Sequence, residues 1–136
     1  MRFETKVAVV VRRDLPTWQK LNMTAFLVSS LGLAEPDLIG EPYEDADGNA
    51  YRPMFRQPVL VFAGDADDLR RVYERARSRD VELAIFTHDL FATGHDDANR
   101  AAVRAVAADG LDLTGLAMHA DRRDVDRITK GLGLHE

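Results

Sequence analysis

The sequence of 136 residues contains no cysteine, so it forms no disulfide and offers no thiolate as metal ligand or nucleophile. It also lacks an apolar run near the roughly 20 residues that a membrane-spanning helix needs. Hydrophobic residues make up 46% and charged residues 30%, a composition typical of a globular chain. We therefore expect a single domain over residues 1–136, cytoplasmic and without membrane association.

The chain has no excess of positive charge. It carries 18 Lys and Arg residues against 23 Asp and Glu residues, for a net charge of −5. Proteins that bind nucleic acid through many phosphates are usually basic, so we do not expect nucleic acid as a partner. Arginine outnumbers lysine by 15 to 3, which we interpret as the codon bias of a GC-rich bacterial genome.

Several sequence signatures of nucleotide-binding, serine-hydrolase and metal sites are missing. The sequence has no phosphate-binding loop ending in Gly-Lys-Ser/Thr, no Gly-x-Gly-x-x-Gly after a strand and no Gly-x-Ser-x-Gly elbow. The spacing of His88, His95 and His119 matches no compact metal motif, and it does not determine whether the three side chains meet. We expect no cofactor and no metal.

Apolar segments alternate with helical patterns along the chain. The β-branched run at residues 7–11 predicts a central strand buried on both faces. Thr17 and Asp65 are the expected N-caps of the first two helices. Asp47-Gly48 predicts a short edge hairpin. Strands are expected at residues 6–12, 59–62, 81–87 and 113–118, and helices at 20–33, from 65, at 97–108 and at 121–130.

This alternation predicts an α/β protein, a three-layer α/β/α sandwich with a mixed, mostly parallel four-stranded central sheet. Ligands of such sheets bind beyond the carboxyl ends of the strands. That rule selects residues 12–14, 88–89 and 119–121. Asp89 either orients a water or a histidine for acid–base chemistry or caps the following turn with its own side chain.

Two further features near the first helix each have two interpretations. Arg12, Arg13 and Lys20 form the best positive cluster, which either binds an anion or is a solvated rim with Arg13 paired to Asp14. Trp18 either faces a ligand or holds the start of the first helix against the core. The sequence alone does not choose between them.

Five segments carry a resemblance to known families. They are residues 6–15 (KVAVVVRRDL), 18–26 (WQKLNMTAF), 58–63 (PVLVFA), 81–89 (VELAIFTHD) and 114–118 (TGLAM). Their order is similar to that of the type II peptidyl-tRNA hydrolase fold. The chain more closely resembles the family called domain of unknown function 2000, a branch of that fold, over nearly its whole length.

The resemblance implies a set of site residues. Lys20 corresponds to the hydrolase lysine, Asp89 to its aspartate, and Thr93 and Thr114 to its two threonines. The Gly- and Lys-rich loop of the hydrolases is replaced by residues 16–19, and their helical histidine has no counterpart.

The expected function follows from this set. The chain would hydrolyse an ester or amide in a pocket at the carboxyl edge of the sheet, with Asp89 as base and Lys20 or a threonine stabilising the oxyanion. The alternative is a non-catalytic module that binds a small molecule or a protein. We also expect a homodimer, because this fold commonly associates and two-fold pairs are the most frequent oligomers.

Overall fold

The computed structural model describes residues 2–136, which form two sheets and four α-helices. Three short 3-10 helices connect them, at Pro36–Leu38, His88–Phe91 and Ala108–Gly110. In chain order the other elements are β1 (Thr5–Arg12), α1 (Thr17–Ala34), β2 (Tyr43–Glu44), β3 (Ala50–Tyr51), β4 (Val59–Gly64), α2 (Ala66–Ser78), β5 (Ala84–Thr87), α3 (Asp96–Arg104), β6 (Leu113–Asp121), α4 (Arg122–Ile128) and β7 (Gly133–Leu134).

The central sheet has five strands in the order β5-β6-β1-β4-β7. Only β1 and β4 pair in parallel, whereas β6 runs antiparallel to both of its neighbours and β7 antiparallel to β4. The expected mixed character of the sheet is confirmed, but four strands and a mostly parallel direction are wrong. Strand patterns do not encode direction, and β7 has only two residues, too few for a recognisable period.

Helices cover both faces of the sheet, which confirms three layers. On one face Val7, Val9 and Val11 pack with side chains of α1, and on the other Ala8 and Val10 pack with α2 and α4. All five of these β1 residues are at most 1% exposed. The expectation of a strand buried on both faces is confirmed.

Of the two expected helix caps, the structure confirms one and contradicts the other. Asp65 caps α2 as expected: its carboxylate accepts from the Asp68 N–H while the Asp68 carboxylate accepts from the Asp65 N–H. Thr17 is not the cap of α1 but its first residue, and Pro16 before it makes no side-chain capping bond. Proline favours a helix start through its fixed φ angle, so no side-chain cap is required there.

The expected hairpin is present, but β2 and β3 form a separate two-stranded sheet. Gly48 adopts φ +86°, a conformation that glycine tolerates best. The Asp45 carboxylate accepts hydrogen bonds from the Asn49 backbone and side chain and from the Tyr51 hydroxyl. These hydrogen bonds lower the pKa of Asp45 to about 2, and the bond from Tyr51 has the largest effect.

Replacing Tyr51 by phenylalanine tests this turn. Tyr51→Phe removes the strongest donor to the Asp45 carboxylate, so the pKa of Asp45 should rise toward its ordinary value of 3.8. Carboxyl NMR titration measures it. Because the folded-state pKa is depressed, any stabilisation from this carboxylate is present above pH 3.8 and lost as the pH falls toward 2. Tyr43→Phe, on the neighbouring strand, is the control, and an equal change there would contradict the assignment.

Gly115 of β6 makes the close contact between the sheet and α1. A methyl group at this position would lie 2.5 Å from Met23 Sδ and 2.9 Å from Leu27 Cδ1, both on buried side chains. Gly115→Ala should therefore lower the free energy of unfolding by about 1–3 kcal/mol, measured by urea denaturation. A methyl group at Gly133 meets nothing within 4 Å, so Gly133→Ala should be nearly neutral. Equal losses in the two variants would refute the packing argument.

Candidate functional site

Strands β1, β4 and β5 end at one edge of the sheet, where the antiparallel β6 begins. Residues 12–14 and 88–89 lie at this carboxyl edge, as expected. Residues 119–121 lie at the opposite edge, because Asp121 pairs with Thr5 at the start of β1. The direction of β6 therefore removes the third expected segment from the site.

Thr114 and Lys20 both have partners at or near this edge. Thr114 is 0% exposed, and its hydroxyl donates to the Phe86 carbonyl at 2.9 Å, which ties β6 to β5. Lys20 lies in the first turns of α1, with its Nζ 3.0 Å from His135 Nε2. The Thr114 hydroxyl is thus inside the protein, whereas Lys20 reaches the segment that follows β7.

Asp89 and Thr93 follow β5. The Asp89 side chain is exposed, and its backbone carbonyl accepts from Ala92 within the short 3-10 helix. Thr93 is half-buried, and its hydroxyl is 3.0 Å from the Leu90 carbonyl and in contact with the Asn99 amide. Of the four expected site residues, only Thr93 lines a cavity found at this edge.

One of the three members of the basic cluster, Arg12, is paired with neighbouring carboxylates. Arg12, not Arg13, pairs with Asp14, at 3.1 Å, and Arg12 also pairs with Asp112 at 3.0 Å. The Arg12 hydrogen bond lowers the pKa of Asp14. Arg13 donates to the Ala63 carbonyl at 3.2 Å. The expected ion pair with Asp14 is therefore present, but Arg12 rather than Arg13 forms it.

A cavity of about 380 Å³ opens between α1 and the segment that links β5 to α3. Its apolar wall consists of Trp18, Phe26, Phe86 and Phe91. Phe86 and Phe91 pack at a centroid distance of 4.9 Å with their planes tilted by 50°, and Trp18 meets Phe91 edge-on at 6.2 Å. Trp18 and Phe26 are nonetheless 61% and 56% exposed, so a wide aromatic surface faces solvent here.

Polar groups form the other side of the cavity. His95 Nδ1 accepts from the Ala98 N–H at 3.3 Å and caps α3, so His95 Nε2 carries the proton and is a donor when the ring is neutral. The nearest carboxylate, Asp96, is paired with Arg100 at 2.7 Å. The remaining polar lining residues are Asn22, Thr93 and Asn99.

The Asn99 amide has a defined role. Thr93 has a single hydroxyl proton, which the Leu90 carbonyl accepts at 3.0 Å. Asn99 Oδ1 is a second acceptor in contact with the same Thr93 hydroxyl. The Asn99 side chain therefore joins α3 to the loop that holds Thr93, on the polar side of the cavity.

The expectation from the sequence did not include Asn22 or Asn99. Trp18, Asn22 and Phe26 follow one another at intervals of four residues, so they lie on one face of α1. That spacing is visible in the sequence and would have marked the wall of the cavity. Asn99 lies in α3, four residues after the cap His95.

The three histidines do not converge. His88 meets Phe91 edge-on at 6.0 Å, and His95 caps α3. His119 lies at the opposite edge of the sheet, paired with Val7. Over residues 2–136 no three His, Asp or Glu side chains are arranged to hold a metal ion.

These features define a three-layer α/β/α domain with a mixed five-stranded sheet and an aromatic cavity at one edge. The chain belongs to the family described as protein of unknown function (DUF2000), whose model matches residues 5–136. A solved structure of a protein of unknown function from Agrobacterium tumefaciens is similar, with 45% identity and a TM-score of 0.97. The match covers 99% of this chain and 100% of that one. No curated protein matches the chain.

No helix within the described part of the chain combines the length and the apolar character needed to cross a bilayer. The longest, α1, has 18 residues.

Proposed function

We propose that the protein is a binding module for a small molecule, which occupies the aromatic cavity between α1 and the β5–α3 segment. The observation that carries this proposal is the exposure of Trp18 and Phe26, each more than half exposed on the wall of a concave site. Large apolar surface facing solvent is unfavourable unless another molecule covers it. The volume of the cavity and its lining residues are typical of small-ligand sites, which combine apolar walls with a few polar groups.

The lining favours a neutral, planar ligand that carries an amide or a similar group. Aromatic walls stack on a flat ring, and the amides of Asn22 and Asn99 both donate and accept hydrogen bonds. His95 Nε2 adds a donor. Asp96 is compensated by Arg100, so the cavity offers no unpaired charge that would select an ion.

Benzamide is a suitable probe, because Trp18 is the only tryptophan and reports directly on the cavity. We expect benzamide to change the Trp18 emission with a Kd of about 1 mM, typical of a small fragment. Asn22→Ala should weaken binding about three- to tenfold, since one neutral hydrogen bond contributes roughly 1 kcal/mol.

Gln19→Ala is the matched control, because it removes another amide from α1 that does not line the cavity. It should bind benzamide as the unmodified protein does. Unchanged Trp18 emission up to the solubility limit of benzamide, or equal weakening in both variants, would contradict the proposed site.

Hydrolysis of an ester or amide at this edge, by Lys20, Asp89, Thr93 and Thr114, stays a prediction, as does the likeness to the type II peptidyl-tRNA hydrolases. What supports it is the resemblance of the sequence and the place of Asp89 and Thr93 after β5. The homodimer and the cytoplasmic location also stay predictions.

N-acetylaminoacyl-tRNA separates binding from this hydrolysis. A binding module should release no amino-acid moiety from it, either as the unmodified protein or as Asp89→Asn. Asp89→Asn is a suitable variant because the side chain is exposed and its loss should leave the fold intact. Turnover by the unmodified protein that disappears in Asp89→Asn would favour the hydrolase over the binding module.

A further inference from the structure

Three polar side chains from three elements meet at the edge of the sheet opposite the aromatic cavity. Thr5 opens β1, His119 lies near the end of β6, and Glu35 follows the last residue of α1. In the antiparallel register His119 pairs with Val7. Because side chains alternate along a strand, Thr5 lies on the same face as Val7, beside the imidazole.

The contacts follow the order carboxylate, imidazole, hydroxyl. His119 Nδ1 contacts the Glu35 carboxylate, and His119 Nε2 is 2.8 Å from Thr5 Oγ1. A carboxylate only accepts, so Nδ1 carries the proton in the neutral ring, and Nε2 accepts from the Thr5 hydroxyl. Burial lowers the pKa of His119 below its ordinary value, which favours the neutral ring that can accept the Thr5 proton.

Thr5 also lines a cavity of about 290 Å³, with Lys6, Gln57 and Arg122 among its neighbours. Gln57 Nε2 donates to the Thr5 carbonyl at 3.1 Å and lies 3.3 Å from Thr5 Oγ1. The Gln57 amide therefore holds Thr5 through its carbonyl oxygen and its hydroxyl oxygen at this cavity. The cations are engaged elsewhere: Lys6 pairs with Asp126, and Arg122 donates to a backbone carbonyl.

We propose that Thr5, His119 and Glu35 form a second site that hydrolyses small uncharged esters, with Thr5 as the nucleophile. Hydroxyl, imidazole and carboxylate in this order are the arrangement by which hydrolases activate an alcohol. Thr5 and His119 are the catalytic residues. Glu35 is a positioning residue, because it acts on the substrate only through the imidazole.

The reaction has two balanced stages. Thr5 Oγ attacks the ester carbonyl carbon while His119 Nε2 takes the hydroxyl proton. The bond to the alcohol oxygen breaks, and His119 returns the proton to that oxygen, leaving the acyl group on Thr5. Water then attacks the acyl carbon with His119 as base, which releases the carboxylic acid and restores the Thr5 hydroxyl.

The same three residues would also join the end of α1 to the sheet if they had only a structural role, and the experiment separates the two roles. We would measure hydrolysis of p-nitrophenyl acetate by the full chain, together with acetylation of Thr5 by peptide mass spectrometry after an acid quench. Thr5→Val and His119→Gln should each lower kcat/KM at least about 100-fold, and Thr5→Ser should retain activity. Glu35→Gln should lower kcat with KM unchanged.

Two controls match these variants. His88→Gln removes an exposed imidazole at the other edge, and Thr17→Val removes an exposed hydroxyl from the start of α1. Both should hydrolyse the ester as the unmodified protein does. If the three residues had only a structural role, each variant that lost activity would show a proportional change in its circular dichroism spectrum. The unmodified protein would then acquire no acetyl group on Thr5.

The proposal is overturned if the unmodified protein hydrolyses the ester no faster than buffer and acquires no acetyl group on Thr5. It is also overturned if Thr5→Val stays folded and keeps full activity, or if His88→Gln loses as much activity as His119→Gln. The first criterion requires no variant, so unfolding of a variant does not leave the question open. Benzamide binding at the other edge is independent of all these outcomes.

Discussion

Removal of β1 from water is the constraint on which the other elements depend. Five consecutive side chains of β1 are at most 1% exposed, so both faces of the strand and both of its edges must be covered. The faces require α1 on one side and α2 with α4 on the other. The edges require β4 and β6, because every buried backbone N–H and C=O needs a partner. The three layers of the domain and the place of β1 between β4 and β6 follow from these requirements.

Because β6 is antiparallel to β1, it contributes different side chains to the carboxyl edge of the sheet and to the opposite edge. At the carboxyl edge β6 supplies the buried Thr114 and the small Gly115, so the surface there is formed by aromatic side chains of α1 and of the β5–α3 segment. At the opposite edge β6 supplies His119, which meets a hydroxyl and a carboxylate. The aromatic edge thus fits the proposed binding of a small molecule, whereas the opposite edge carries the groups of the proposed ester hydrolysis.

What could be predicted from the sequence was local. The valine run predicted β1, and Asp65 with Asp68 predicted the start of α2, because both patterns act within a few residues. The contact of Thr5 with His119 could not be predicted, since it depends on the direction and register of β6 across 114 residues of chain. Only one of the four expected site residues, Thr93, lines the aromatic cavity, because the resemblance identified sequence positions rather than which side chains are exposed there.

The place of β6 between β5 and β1 also has a consequence for how the chain folds. β1 is synthesised first among the strands, yet one of its two neighbours consists of residues 113–121. Until those residues leave the ribosome, β1 keeps one unpaired edge next to its most apolar side chains, a surface that invites association with other chains. Pairing over such sequence distances also slows folding, because the chain loses much entropy before the contacts form. The strand that lies between β5 and β1 thus also sets the moment at which β1 is paired on both of its edges.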